Sequence, residues 1–335
     1  MRRAIPALLL LAVTIPALSQ VLVNGAGATF PYPIYAKWFD EFHKKNPQAQ
    51  INYQSIGSGG GIRQLLAGTV DFGASDSPMT DEQLSKSPTR VLHFPTVLGA
   101  VVATYNVPGV TQELNFTPEV LSGIYLGTVT KWNDPVLAKA NPRAKLPSAG
   151  IIPVRRSDGS GTTFVWTDFL AKASPAWKSK VGSGNAVSWP AGLGAKGNEG
   201  VSGLVKQTPN SIGYVELVYA IQNKMPYGRI QNASGTFVRP DLKSVTAAAA
   251  SAAANMPDDF RVSITYAAGK DAYPVSSFTW LLLPSSIQDG GKRKILTDFL
   301  RWMLHEGQAM AEPLGYAPLP KAVIANELKT IGKIR

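Results

Sequence analysis

The stretch IIPVRRSDGSGTTFVWTDFL, residues 151–170, decides the fold class of this chain. Its first four residues are apolar, as in a short buried strand, whereas Val165, Trp166 and Phe169 recur at the spacing of one helix face. The run RRSDGSGT between them is rich in Gly and Ser and predicts a tight turn. A strand, a glycine-rich turn and a helix in this order are typical of α/β proteins, in which such units alternate along the chain.

The same pattern recurs through the rest of the chain. Glycine-rich turns at 24–30 and 58–61 each follow an apolar strand and precede a predicted amphipathic helix. The alanine run at 247–254 predicts a further helix, and the glycine-rich residues 182–200 predict a loop. The predicted strands cover residues 21–23, 51–56, 70–74, 151–154, 211–217 and 278–283.

The length of the chain and two long apolar segments predict two lobes. A chain of 335 residues is long enough for about two domains with sizeable cores. Residues 95–106 and 274–283 are apolar, extended and long enough to pass from one lobe into the other. We therefore expect two α/β lobes that these two segments connect.

Composition excludes several function classes. The formal net charge is +11, so an anionic partner has to be considered. The absence of Cys excludes disulfides, thiolate nucleophiles and iron–sulfur clusters. The Trp residues do not cluster with Arg and Lys as a nucleic-acid platform requires, so no nucleic-acid partner is expected.

The first residues have the pattern of a secretory signal. Arg2 and Arg3 precede a short apolar run, and small residues lead up to Ser19, so we expect cleavage before Gln20 and removal of residues 1–19. Because the chain contains no Cys, it offers no site for a lipid anchor after cleavage. These features predict a freely diffusing periplasmic protein.

Three of the predicted strand-to-helix junctions combine Gly with Ser or Thr: GATF at 27–30, GSGG at 57–60 and DGSGT at 158–162. A helix N-terminus presents unpaired N–H groups that can bind an anion, and Gly lets a ligand approach the backbone. One such junction by itself is more simply an ordinary helix cap. Because doubly wound sheets bring the carboxyl ends of their strands to a shared edge, three junctions together favour one anion site.

Two arginines end the predicted strand ahead of the third junction. Side chains alternate between the two faces of a strand, so only one of Arg155 and Arg156 can reach a shared cleft. An arginine there supplies a planar fork that suits a tetrahedral oxyanion. Asp158 lies two residues beyond Arg156 and could hold that guanidinium in place through an ion pair. A solvated basic pair on the surface is the alternative.

Several motifs together resemble a known family, and they run in the same order over nearly the whole mature chain. The family comprises the periplasmic phosphate-binding proteins of the high-affinity phosphate ABC transporters, the PstS family. The motifs are GAGATFP at 25–31, YQSIGSGG at 53–60, VDFGASD at 70–76, FPT at 94–96, RRSDGSGT at 155–162, GLGAKGN at 192–198 and SIGYVE at 211–216.

The resemblance implies a fold, a ligand and a partner. The implied fold is that of a type II periplasmic binding protein, with two lobes that are each a doubly wound sheet flanked by helices. We expect one lobe to comprise residues 20–103 plus 276–335 and the other residues 104–275, with a two-segment hinge between them. The implied ligand is inorganic phosphate, and the implied partner is an inner-membrane ABC permease with its ATPase. We also expect a monomer that holds no cofactor and no metal.

The resemblance also assigns the ligand-binding groups, which we carry over position by position. Gly59 departs from the pattern, because many members of the family have a second Ser there, and one secondary hydroxyl contact is therefore in doubt. The groups that match the family's phosphate ligands are those of Thr29, Phe30 (through its backbone N–H), Ser58, Asp76, Arg156, Ser160, Gly161 and Thr162.

Asp76 is the unexpected member of this set. The residues alone favour a turn-forming Asp that points away, because a carboxylate repels an anion. Within the site that the resemblance implies, however, an ionised Asp can accept a hydrogen bond from a phosphate O–H, whereas sulfate carries no proton near neutral pH. Asp76 would then select phosphate by excluding sulfate.

Two other functions remain open. The same scaffold could bind another oxyanion, such as sulfate or molybdate. A secreted phosphatase is the alternative from a different class, and it would need a metal cluster or a nucleophile with a base. Neither is evident, and the G-x-S-x-G, P-loop and H-E-x-x-H motifs are absent from the sequence, so we expect a binding protein rather than an enzyme.

Overall fold

The computed structural model describes residues 20–253 and 256–335. The predicted signal sequence at residues 1–19 therefore lies outside the described residues. Among the described residues, no helix combines the length and the apolar character needed to cross a lipid bilayer.

Strands and helices alternate along most of the described chain, as the sequence predicts. The strands are β1 (Val21–Gly27), β2 (Ala49–Ser55), β3 (Phe72–Ser75), β4 (Val91–Asn106), β5 (Asn115–Phe116), β6 (Ile152–Arg156), β7 (Leu193–Ala195), β8 (Ser211–Glu216), β9 (Arg229–Gln231), β10 (Phe237–Val238) and β11 (Ser276–Pro284). The helices are α1 (Tyr32–Lys45), α2 (Ser58–Leu66), α3 (Asp81–Ser85), α4 (Pro118–Leu126), α5 (Pro135–Ala140), α6 (Gly161–Ala173), α7 (Pro175–Lys180), α8 (Gly197–Gln207), α9 (Leu217–Gln222), α10 (Leu242–Ala253), α11 (Gly290–His305) and α12 (Lys321–Ile331).

The main sheet runs continuously through both lobes in the order β2-β1-β3-β11-β4-β8-β6-β7. The sequence predicts one sheet per lobe, and the two are joined because β4 is 16 residues long. Its first part, up to Ala100, pairs with β11, and its second part, from Val101 to Asn106, pairs with β8. A separate small sheet has the order β10-β9-β5.

The two lobes repeat one arrangement of strands. In the first lobe β1 lies between β2 and β3 and is parallel to both, and β11 follows as an antiparallel neighbour. In the second lobe β6 lies between β7 and β8 and is parallel to both, and β4 is the antiparallel neighbour. In such sheets ligands bind beyond the carboxyl ends of the parallel strands. The residues that follow these strands are therefore the ones expected to form a binding site. The strands concerned are β1, β2, β3, β6, β7 and β8.

Apolar periodicity explains the helices that cover the sheet. In α1 the buried residues are spaced three or four apart, and Tyr35, Trp38 and Phe39 pack together as an aromatic cluster. The alanine-rich prediction is confirmed by α10, which begins five residues before the alanine run. The Ser160 hydroxyl accepts a hydrogen bond from the Thr163 N–H at 3.0 Å and so caps α6.

The prediction of a loop over residues 182–200 is wrong at its carboxyl end. Residues 193–195 form β7, and α8 begins at Gly197. Residue propensities do not predict this short strand, because Gly192 and Gly194 are poor strand formers. Pairing with β6 supplies the backbone hydrogen bonds that stabilise β7 despite its composition.

Candidate functional site

The residues that the family resemblance singles out converge where the two lobes meet. They come from both lobes and are buried, Gly161 at the start of α6 among them, and each of the others has an exposed fraction of at most 2%. Thr29, Phe30, Ser58 and Asp76 follow β1, β2 and β3, whereas Arg156, Ser160, Gly161 and Thr162 lie at the end of β6 and the start of α6. Hydrogen bonds from Arg156 to Thr29 and from Gly161 to Ser58 connect the two groups.

Arg156 lies at the centre of this cluster, and Asp158 fixes its orientation. The guanidinium is bound in bidentate fashion, with Nε 2.7 Å from one carboxylate oxygen of Asp158 and Nη2 2.5 Å from the other. Burial by itself would raise the pKa of the Asp158 carboxyl, but the hydrogen bond and the charge of Arg156 hold this pKa below its ordinary value. Asp158 is thus a carboxylate that positions the arginine. The remaining nitrogen, Nη1, faces the other residues of the cluster.

Arg155 lies outside the cluster, as strand alternation predicts. Its Nη1 donates to the backbone carbonyl of Arg156 at 3.3 Å, and within the described part of the chain its guanidinium makes no hydrogen bond to Thr29 or Thr162. The side chain of Arg156 is 1% exposed, and its Nη1 lies 3.3 Å from the hydroxyl of Thr29 and 3.4 Å from that of Thr162. The side chain of Arg156 therefore lies within the cluster, whereas that of the neighbouring Arg155 lies outside it.

The site hydroxyls accept hydrogen bonds from N–H groups of the protein. Thr29 Oγ1 accepts from Asn198 Nδ2 at 2.8 Å, and Arg156 Nη1 and the backbone N–H of Asn198 are each a further 3.3 Å contact. Thr162 Oγ1 accepts from the same two side chains, at 3.1 Å and 3.4 Å. Because a hydroxyl oxygen has two acceptor positions and both are occupied, each O–H must donate elsewhere. These hydroxyls are set as donors to a ligand.

Ser58 has the same character and joins the two lobes. Its Oγ accepts from the backbone N–H of Asp76 at 3.2 Å, in the first lobe, and from that of Gly161 at 3.0 Å, in the second. Both acceptor positions are again used, which leaves the Ser58 O–H as a donor. Beside it the backbone N–H of Gly59 donates to the Gly159 carbonyl at 2.9 Å, so the starts of α2 and α6 are in direct contact.

Two glycines allow this close approach. Gly57 has φ of +89°, which L-residues rarely adopt, and a Cβ there would lie 2.3 Å from an oxygen of Asp158. A Cβ on Gly161 would lie 2.4 Å from Ser58 Oγ and 2.6 Å from Asp76 Oδ2. The glycine-rich composition of both junctions therefore reflects contact between lobes as well as turn formation.

Asp76 contributes a carboxylate with two different oxygens. Oδ1 accepts from the hydroxyl of Thr279 at 2.9 Å, whereas Oδ2 is buried and has no partner among the described residues. Burial raises the pKa of Asp76 to about 7, although the hydrogen bond from Thr279 and the positive charge of Arg156 act to lower it. An acceptor oxygen among so many donors can bind a ligand atom that carries a proton.

Sequence reasoning missed two contributors to this cluster. The amide of Asn198 bridges Thr29 and Thr162, and its Oδ1 accepts the backbone N–H of Glu216 at 2.9 Å. Its position after β7 follows the same strand-to-helix rule as the other junctions, but reading that segment as a loop hid it. Thr279 lies within β11, where nothing in the local sequence distinguishes it from a core residue.

Comparisons with known proteins identify chains that are similar to this one over most of its length. A family profile described as a PBP superfamily domain matches residues 14–306. The chain is 44% identical to the phosphate-binding protein PstS of Xylella fastidiosa (strain Temecula1) over 306 residues, which are 91% of this chain and 83% of the relative. It is 46% identical to PstS of Pasteurella multocida over 303 residues, 90% of this chain and 87% of the relative.

Solved structures with similar folds are also phosphate-binding proteins by name. The high-affinity periplasmic phosphate-binding protein PfluDING, bound with phosphate, has a TM-score of 0.72 at 21% identity and covers 92% of this chain and 93% of its own. An ABC-type phosphate transport receptor from Vibrio cholerae has a TM-score of 0.57 at 18% identity and covers 89% of this chain and 100% of its own. At these identities the likeness shows the fold.

Proposed function

Because the chain belongs to the PstS family of phosphate-binding proteins, within the PBP superfamily, we propose that it binds inorganic phosphate between its two lobes and delivers it to an ABC permease for import. After cleavage of residues 1–19 the protein works in the periplasm without a lipid anchor. It acts as a monomer, it needs no cofactor, and its partner is an inner-membrane permease with its ATPase.

One observation supports this proposal above all: the buried cluster consists largely of hydrogen-bond donors, because its hydroxyl oxygens already accept hydrogen bonds from the protein. The hydroxyls of Thr29, Ser58 and Thr162 have their acceptor positions filled, and Arg156 adds a positive charge. The start of α6 lies against the same cluster, where the backbone N–H of Gly161 donates to Ser58 Oγ and so helps to fix the direction of that hydroxyl. A ligand that satisfies such a set must offer acceptors in several directions, as a tetrahedral oxyanion does.

Asp76 favours phosphate over the other oxyanions. Near neutral pH phosphate still carries a proton, which the partnerless Oδ2 of Asp76 can accept. Sulfate has no proton there, so its lone pairs would face those of the carboxylate in a desolvated site, which is costly. The alternative that the scaffold is tuned to sulfate or molybdate does not explain a carboxylate at this position.

The lobes are assigned as residues 20–103 plus 276–335 and residues 104–275, with a hinge in the segments that connect them. β4 supports a division within three residues of this one, because its pairing partner changes from β11 to β8 between Ala100 and Val101. The contacts of Arg156 with Thr29 and of Gly161 with Ser58 cross from one lobe to the other. Complete coordination therefore requires a closed arrangement, which ties affinity to closure.

Calorimetric titration of the mature chain with phosphate, arsenate, sulfate and molybdate tests the proposal. We expect tight binding of phosphate and much weaker binding of sulfate and molybdate. Tighter binding of sulfate or molybdate than of phosphate would overturn the assignment. Release of phosphate from a generic ester, measured with and without divalent metals, tests the phosphatase alternative, and we expect none above background.

A further inference from the structure

Thr279 approaches the proposed phosphate site from a strand that is far away in sequence. β11 pairs with β3 in antiparallel fashion, with Trp280 opposite Ser75, so Thr279 lies next to Asp76 just beyond the end of β3. Its side chain is fully buried. Its hydroxyl contacts Asp76 rather than the ligand-binding hydroxyls, which makes its role separable from theirs.

The geometry determines where the Thr279 proton points. Its Oγ1 lies 2.9 Å from Asp76 Oδ1 and 3.4 Å from the backbone carbonyl of Ser75. The shorter contact is to a carboxylate, and hydrogen bonds to a charged acceptor are the stronger ones. The hydroxyl therefore donates to Oδ1, and the partnerless Oδ2 is the oxygen that remains for a ligand.

We propose that Thr279 is the positioning residue that makes Asp76 a selective acceptor: it occupies Oδ1, favours the ionised form of the carboxylate, and leaves Oδ2 to accept the ligand's O–H. This inference rests on the proposed phosphate-binding function. It adds a residue of β11 to a set of ligand groups that otherwise comes from strand-to-helix junctions.

The hydrogen bond from Thr279 is one of the few influences that oppose the effect of burial on the pKa of Asp76. Burial raises the pKa of Asp76 to about 7, and the opposing influences are the hydrogen bond from Thr279, the charge of Arg156 and the nearby hydroxyl of Ser58. Burial also raises the pKa of the neighbouring Glu216 carboxyl well above its ordinary value. The nearby phenols of Tyr35, Tyr53 and Tyr316 likewise have raised pKa values and stay neutral.

Loss of the Thr279 hydroxyl should therefore increase the fraction of Asp76 that is protonated, and so able to donate, at neutral pH. Thr279→Val keeps the shape of the side chain and removes the O–H. The pKa of Asp76 then rises further, and a protonated carboxyl can donate to sulfate. We expect the preference for phosphate over sulfate to fall by about tenfold or more, the loss that removing one charge-assisted hydrogen bond brings.

Sulfate is the best probe, because it does not titrate between about pH 5 and about pH 9, so any pH dependence belongs to the protein. In the parent protein we expect sulfate binding to strengthen as pH falls through the pKa of Asp76. In Thr279→Val this midpoint should move up by about one pH unit. Asp76→Asn should bind sulfate without that transition, and adding Thr279→Val to it should change little.

Two controls separate positioning from general damage. Thr279→Ser keeps the hydroxyl and should keep the parent's midpoint and preference. Ser277→Ala removes a hydroxyl on the same strand that contacts the backbone carbonyl of Asp76 at 3.4 Å but not its carboxylate, and it should also behave as the parent does. If Thr279→Val does not fold, Thr279→Ala also lacks the hydroxyl and replaces it.

The outcomes distinguish this inference from the proposed function. A parent protein that does not bind phosphate contradicts the proposed function itself. A parent that prefers phosphate, together with a hydroxyl-free Thr279 variant that keeps the parent's sulfate midpoint and preference, overturns only the role of Thr279. A shifted midpoint in Thr279→Ser or Ser277→Ala would show that packing in β11, and not the hydroxyl, controls Asp76.

Discussion

The side-chain amide of Asn198 donates to the hydroxyl of Thr29 at 2.8 Å, from the start of α8 in one lobe to the end of β1 in the other. The same nitrogen also donates to Thr162 at 3.1 Å. One amide thus controls the direction of two hydroxyls that we assign to phosphate. Asn198 therefore organises the site without belonging to the set of groups that the family resemblance names.

Replacing Asn198 by Ala should weaken phosphate binding about tenfold, because two neutral hydrogen bonds of roughly 0.5–1.5 kcal/mol each disappear and both hydroxyls can rotate. Asn198→Asp should cost more, since it adds a negative charge. Calorimetry measures both. Asn106→Ala is a matched control, because its amide donates to Val205 at 3.1 Å, away from the site. Equal affinity of Asn198→Ala and the parent would remove Asn198 from the organisation of the site.

Arg156→Ala should weaken phosphate binding by about tenfold to a few hundredfold, because charge-assisted hydrogen bonds contribute roughly 1.5–3 kcal/mol each. Arg155→Ala should have a much smaller effect, since its side chain lies outside the cluster. Both variants are titrated with phosphate at one ionic strength after circular dichroism has verified that they fold. Similar losses in the two variants would mean that the net positive charge, and not the placement of one guanidinium, attracts the ligand.

Glu327 should destabilise the protein as pH rises. Its side chain is fully buried in α12, and neither carboxylate oxygen has a partner among the described residues. Burial raises the pKa of Glu327 well above its ordinary value of 4.5. Because the folded-state pKa is the higher one, the stabilising contribution of the protonated carboxyl is present below the unfolded-state value and is lost as pH rises through the folded-state value.

Glu327→Met should therefore raise the free energy of unfolding by about 1–3 kcal/mol where the glutamate would have to ionise. It should also remove part of the decline in stability with rising pH. Urea unfolding at several pH values provides the measurement, and Glu312→Met, at an exposed glutamate, is the control. An unchanged pH profile in Glu327→Met would show that water or a hidden partner solvates the carboxyl.

Phosphate should make the protein more compact in solution. The hydrogen bonds of Ser58 and Arg156 span both lobes, so binding favours the closed arrangement. Small-angle scattering with and without phosphate measures the radius of gyration, and Arg156→Ala at the same phosphate concentration should show a smaller change. An identical radius with and without phosphate in the parent would count against hinge closure.

Local patterns in the sequence predict the units of this fold well and their long-range contacts poorly. Alternation along β6 correctly separates the buried Arg156 from Arg155, because side-chain direction in a strand depends only on neighbouring residues. The contact of Asp76 with Thr279 joins residues 203 positions apart and depends on strand order, which no local pattern contains. The Gly-rich composition around β7 likewise concealed Asn198, since pairing with β6 overrides a weak propensity.

The position of β11 also affects the order in which the two lobes can fold during synthesis. β11 lies between β3 and β4 in the sheet, yet it is made after all strands of the second lobe. During synthesis the first lobe therefore has a gap in the middle of its sheet until residues 276–284 arrive, whereas β6, β7 and β8 can already pair with one another. The lobe that begins the chain is the last to be completed, and until then β3 and the first part of β4 have unpaired edges that could aggregate.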